Sequence, residues 1–244
     1  MEGVGRGLSD VDCFGVRHLQ GLPGSVSLQS RPADRGFLAW SVKNAYHRGV
    51  PRPREFDEER VVEAIRQEFW DKGYAATSLD DLMRVSGLGK GSLYGAFGDK
   101  RALFLRVLRE YNDANARMLQ ERLASTSRGV DFVREFVRGP SCDSTGASAQ
   151  RGCLLANSTA ELAMSMPDVA AEARRSYDAT AEVLVEAIER AQREGDVDPG
   201  ADAEPVAYAV LAAQLGVVAL GRTGMGVDVL ASVAESALGR LLPS

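Results

Sequence analysis

The stretch from Thr77 to Lys100, T-S-L-D-D-L-M-R-V-S-G-L-G-K-G-S-L-Y-G-A-F-G-D-K, leaves this chain little choice of fold. Leu79, Leu82 and Met83 fall at i, i+3 and i+4, which gives a helix one apolar face. Thr77 and Ser78 each stand three residues before an acid, Asp80 or Asp81, the spacing of a capping box at a helix start. Gly87 ends that helix as a residue free to turn left-handed. A second helix is predicted from about Gly89 or Lys90 to Phe97, with Leu93 and Phe97 inward at i, i+4. Asp99 starts a longer third. Two short helices joined by a tight glycine-containing turn make a helix-turn-helix, whose second helix enters the DNA major groove.

The outward residues of the second helix fit that reading. Lys90, Ser92 and Tyr94 fan around its exposed side, and Gly91 removes a side chain where backbone could approach a phosphate. Lys90 and the helix N-terminus both favour an anion. Lys100 and Arg101 place a second basic pair just past the helix end. A generic helical hairpin with a solvated charged face has the same spacing, so spacing alone leaves both readings open.

The residues also carry a resemblance. Gly73-Tyr74-x-x-Thr77-Ser78, then Ser86-Gly87-Leu88-Gly89-Lys90-Gly91-Ser92-Leu93-Tyr94-x-x-Phe97-x-x-Lys100, resembles the DNA-binding domain of TetR/AcrR-type repressors over about Pro53 to Val107. Where many members carry a His or aromatic residue between the Tyr and the Phe, this chain has Gly95 and Ala96. The resemblance implies an all-α protein with a three-helix DNA-binding domain at 51–98 and a helical effector-binding and dimerisation domain at 99–244. It implies a homodimer that binds a palindromic double-stranded operator and is released by a small-molecule effector, with no cofactor. Thr77, Lys90, Gly91, Ser92, Tyr94 and Lys100 are the implied DNA-binding residues, and Arg52 and Arg54 resemble the short basic arm that reaches a neighbouring groove or phosphate.

Charge is distributed in keeping with this. The whole chain carries −5, but residues 1–49 sum to +2, 50–110 to zero and 111–244 to −7. The acidic excess therefore belongs to the part that would face away from DNA. Cys13, Cys142 and Cys153 have no metal-type spacing and leave an odd count, which suits a reducing cytosol. The first thirty residues lack the apolar core of a signal peptide. The longest uncharged run, 205–221, falls short of the roughly 20 apolar residues of a membrane span and reads as a buried interface helix.

Residues 1–50 hold eight of the 25 glycines and both histidines, His18 and His47, with no sustained apolar periodicity. One reading is a basic, disordered arm that adds DNA affinity. The other takes Val50 to Asp57 as the usual beginning of such repressors, with translation starting at or near Val50. From Asp57 to about Lys72 the spacing is helical, with Val61, Val62, Ile65 and Phe69 on one face. The helix from Asp99 to about Leu123 is long enough to act as a lever. Gly129–Arg138 is a shorter amphipathic helix, and 139–150 reads as a surface loop. Helices follow at about 151–166, 167–194, 205–221 and 227–242.

An enzyme finds little support in these residues. Both histidines lie in the atypical extension, so a Ser/His/Asp or Cys/His site has no base. The glycines at 87, 89 and 91 match neither G-x-G-x-x-G nor G-x-x-x-x-G-K-[ST]. A helical interaction protein that binds no DNA would leave Lys90, Tyr94 and Lys100 without a purpose. Cys153, after Arg151 at a helix start, admits a thiol-based redox or electrophile sensor, or a small buried apolar residue. For the effector, Asn157 and Glu161 at i, i+4 and Tyr177 and Thr180 at i, i+3 are polar residues on apolar faces, expected to line a pocket inside the C-terminal bundle or to bond within the core.

Overall fold

The computed structural model describes residues 56–139 and 147–242; Arg52, Arg54, Cys13, Cys142 and both histidines lie outside them. Among the described residues every regular element is a helix. The order is α1 (Glu58–Lys72), α2 (Leu79–Ser86), α3 (Lys90–Phe97), α4 (Lys100–Ser125), α5 (Gly129–Arg138), α6 (Ala147–Arg151), α7 (Leu154–Leu162), α8 (Pro167–Glu194), α9 (Ala203–Gly221) and α10 (Val227–Leu241).

Local chemistry sets most boundaries. Asp57 caps α1, accepting from the N–H of Arg60 at 3.2 Å. Ser78, not Thr77, caps α2: its hydroxyl accepts from Asp81 N–H at 3.1 Å, while Asp81 Oδ2 accepts from Ser78 N–H at 2.9 Å. Gly87 closes α2 at φ 69°, in the left-handed region. Asp99 caps α4 through Ala102 N–H at 2.8 Å.

Three boundaries differ from the sequence reading. The helix expected at 151–166 is interrupted at Gly152 (φ 71°), which separates the five-residue α6 from α7. Met164, assigned to the apolar set there, falls beyond α7 and is fully exposed. α9 begins two residues before Pro205, because Asp202 caps it and the first turn tolerates proline.

Two buried clusters divide the interior. One joins Val61, Ile65 and Phe69 of α1, Leu82 of α2 and Leu93 and Phe97 of α3 to the first half of α4; it continues into Leu154, Leu155 and Leu162 of α7 and Val169 and Ala173 of α8. The other runs from Leu119 and Leu123 at the end of α4 through α5, α8, α9 and α10. The boundary expected at residue 98 therefore does not divide the core: apolar packing crosses it, and the division falls midway along α4. That helix spans about 39 Å at 1.5 Å per residue and serves both clusters.

Candidate DNA-binding and effector sites

In α3 the inward positions are Leu93, fully buried, and Phe97, 7% exposed. Lys90, Gly91 and Ser92 are exposed, and Tyr94 is half-buried. Lys90 makes no ion pair or side-chain hydrogen bond among the described residues, so its ammonium is available at the helix N-terminus. α3 has Gly89 as its N-cap and no side-chain cap, which leaves its first amides open to an anion. A Cβ at Gly91 or Gly95 would meet nothing within 4 Å, so the fold does not require glycine at either place.

Two of the residues expected to contact DNA are engaged internally. Thr77 is 1% exposed and its hydroxyl donates to Gly73 O at 2.6 Å, closing the turn after α1. Its hydroxyl proton is committed inside the domain. Lys100 Nζ donates to Tyr74 O at 2.6 Å and sits 4.3 Å from the centre of the Tyr74 ring. Partial burial lowers the pKa of this ammonium below its ordinary value. It is a structural tie between α4 and the α1–α2 turn, not a free cation. Around them, Lys72 pairs with Glu68 and Asp81, and Arg84 with Glu68, locking α1 to α2.

The four polar candidates for the effector separate into two places. Asn157 and Glu161 border an open groove of about 490 Å³ between the last turn of α1 (Trp70 and Gly73), α7 and the second half of α9 (Leu215, Val218 and Arg222). Tyr177 and Thr180 do not border it. Thr180 donates to Ser176 O at 2.9 Å and is buried, and Tyr177 Oη lies 3.5 Å from Thr159 Oγ1. Those two make core bonds within the protein. Asn157 donates to Arg151 O at 3.0 Å. Glu161 is exposed and accepts the backbone N–H groups of Tyr74 at 3.0 Å and Ala75 at 2.7 Å.

Further ties join the two halves here, and no sequence spacing announced them. Trp70 Nε1 donates to Gly152 O at 3.2 Å, and the Arg151 guanidinium pairs with Asp71 at 2.8 Å while lying 4.5 Å from the Trp70 ring centre. Arg101 pairs with Asp168 at 2.7 Å. Cys153 is half-buried at the start of α7, its Sγ 3.7 Å from Tyr111 Oη, and packs against the core beside Trp70 and Tyr111. Burial, first of all, pushes the Tyr111 hydroxyl well above its ordinary pKa. These contacts fit Cys153 as a small apolar residue of the junction.

A helix-turn-helix with a free basic N-terminus on its second helix, carried on an all-helical bundle, defines a DNA-reading protein with a separate helical body. The comparisons with known proteins agree. Residues 61–107 match the family described as bacterial regulatory proteins, tetR family, and 129–233 match the tetracyclin repressor-like C-terminal domain. The chain belongs to the TetR family and is a DNA-binding transcriptional regulator. It is similar to the HTH-type transcriptional repressor ComR of Escherichia coli, 27% identical over 79% of this chain and 91% of that protein. Its fold is similar to a cysteine mutant of the TetR family regulator CifR complexed with 26-bp double-strand operator DNA, with TM-score 0.67, 25% identity, and coverage of 79% of this chain and all of that one. A TetR family regulator from Cytophaga hutchinsonii shares the fold at TM-score 0.67 and 22% identity, over 75% of this chain and 92% of that one.

Proposed function

We propose that the chain is a repressor that binds a palindromic operator as a homodimer in the cytoplasm and releases it when a small-molecule effector binds. The observation that carries this is the outward face of α3, where Lys90 and open helix amides stand beside Ser92 and Tyr94 with no partner for the cation among the described residues. CifR supports the reading, since that relative is described in complex with operator DNA.

The dimer rests on α9 and α10. α9 has a mean hydropathy of 1.6 over 18 residues but only 33% of that window is buried within the subunit, so it is apolar enough for a membrane span by composition alone. It packs instead on α5, α8 and α10. Beyond Glu204 and Pro205 in its first turn, what it leaves exposed lies along one stripe: Tyr208, Ala212, Gly216 and Ala219, joined by Val229 and Val233 of α10. An apolar stripe flanked by small residues on two adjacent helices suits a second copy of itself across a two-fold axis. Two recognition helices would then meet major grooves about 34 Å apart. The effector reading takes a mostly apolar molecule at the groove bordered by Asn157 and Glu161, and the chain's work is binding, with no catalytic residue assigned.

Selection from a random duplex library, followed by sedimentation of the selected complex, tests this. The expected result is an inverted repeat carrying two chains per duplex. A non-palindromic consensus bound by a single chain would overturn the homodimer reading.

A further inference from the structure

Tyr74 and Ala75 sit in the turn that leads from α1 into the helix-turn-helix. Both of their N–H groups are consumed by one side chain from the body of the protein, Glu161 at the end of α7. Two further features build this contact. Gly73 adopts φ 80°, and a Cβ there would lie 2.8 Å from Glu161 Oε2, so only glycine lets the carboxylate close on the turn. On its other side the same turn is held by Lys100, which takes Tyr74 O, and by Thr77, which takes Gly73 O. The peptide of residue 74 is thus clamped from α4 through its carbonyl and from α7 through its N–H.

From this geometry we infer that Glu161 is a positioning residue for DNA binding: it fixes the angle at which the helix-turn-helix leaves the body, and so the separation of the two recognition helices. A charged acceptor on two amides is a strong and directional tie. It spans 86 residues of sequence between Ala75 and Glu161 and lies on the wall of the groove, where an occupant would compete for the same carboxylate. Loss of the tie leaves α3 and its DNA-contacting face intact. The turn remains held by Lys100 and Thr77, while the reading head loses the carboxylate that ties this turn to α7. The inference rests on the homodimer reading, because separation has meaning only for two heads on one duplex.

The experiment uses the full chain and three operators: the selected sequence, and the same half-sites with one base pair added or removed between them. Wild-type protein discriminates among them, and a failure to do so would count against the homodimer reading itself. Glu161→Ala is expected to bind the correctly spaced operator about tenfold more weakly while reducing discrimination between spacings to less than threefold. Affinity for a single half-site should stay within twofold of wild type. Gly73→Ala should also reduce spacing discrimination, and because φ 80° strains any residue with a Cβ it should lower thermal stability more than Glu161→Ala does. Glu161→Gln, which keeps one acceptor oxygen, should fall between. Spacing discrimination that remains at the wild-type ratio in Glu161→Ala, or a parallel loss on the half-site, would overturn the inference and leave Glu161 a contributor to stability only.

Discussion

The Lys100 ammonium donates to the carbonyl oxygen of Tyr74 at 2.6 Å and lies over the same residue's ring at 4.3 Å. One side chain therefore fastens the first residue of α4 to the turn before α2 by a charged hydrogen bond and a cation–π contact. A lysine of this motif reads from sequence as a phosphate ligand; here one of its three N–H donors is committed to the turn.

Lys100→Met should accordingly destabilise the fold by about 2 kcal/mol, the scale of a hydrogen bond to a charged group. The salt dependence of operator binding should keep its wild-type slope. Lys90→Ala should do the reverse: thermal stability unchanged, and the slope of log affinity against log salt reduced by about one unit. Equal slopes in wild type and the Lys90 variant would remove Lys90 from the phosphate contacts.

Ser78→Ala removes the hydroxyl half of the capping box of α2 and should cost about 1 kcal/mol in denaturant unfolding. Its partner Asp81 adds a pH signature. The Lys72 side chain first, then Ser78, hold the Asp81 carboxyl far below its usual range. Its folded pKa is depressed, so its contribution is complete above the unfolded value near 3.9 and fades as pH falls toward the lower folded value. Asp81→Asn should be less stable than wild type at pH 7, with the difference narrowing steadily below about pH 4. A constant difference down to pH 2 would contradict the assignment.

The dimer stripe is tested best by residues that are exposed within one subunit. Val229 and Val233 are 50% and 37% exposed, so Val233→Glu should elute as a folded monomer in size-exclusion chromatography. Val218 sits on the same two helices' apolar run but is 2% exposed, and Val218→Glu should unfold the subunit, at a cost of several kcal/mol for an unpaired buried charge. A Val229/Val233 double glutamate variant that remains dimeric would move the interface elsewhere.

Gly129 begins α5 where it crosses α8. A Cβ there would stand 2.2 Å from Ala187 O and 2.7 Å from Ala191 N, backbone atoms that cannot swing aside. Gly129→Ala should push the helices apart at a cost of about 1–3 kcal/mol. Circular dichroism melting decides this, since the same change at exposed Gly95 should raise the midpoint by removing a flexible residue from a helix interior.

Those two glycines show what sequence could and could not carry. The helices of the reading head were legible because caps, breakers and apolar spacing act within four residues of one another: Ser78, Asp81, Gly87 and Leu93 all stand where spacing put them. The roles of Thr77 and Lys100 were not legible, because a side chain's outward or inward aim depends on the turn it meets, and Gly73 and Tyr74 supply that turn's acceptors. Glu161 was visible as a polar residue on an apolar helix, but its partners lie 86 and 87 residues away. Spacing within α7 suggested a pocket wall, and tertiary packing gave it amides to hold.

The apolar cluster that runs from α1 into α7 and α8 bears on how such regulators can be recombined. Grafting a foreign reading head onto this body by splicing at Gly98 would keep every helix and yet mismatch the seam, since Leu154, Leu162 and Val169 share one apolar cluster with Phe69, Phe104 and Leu108. Specificity in this protein is thus not a detachable cartridge; the part that chooses the DNA sequence is grown into the part that answers the signal.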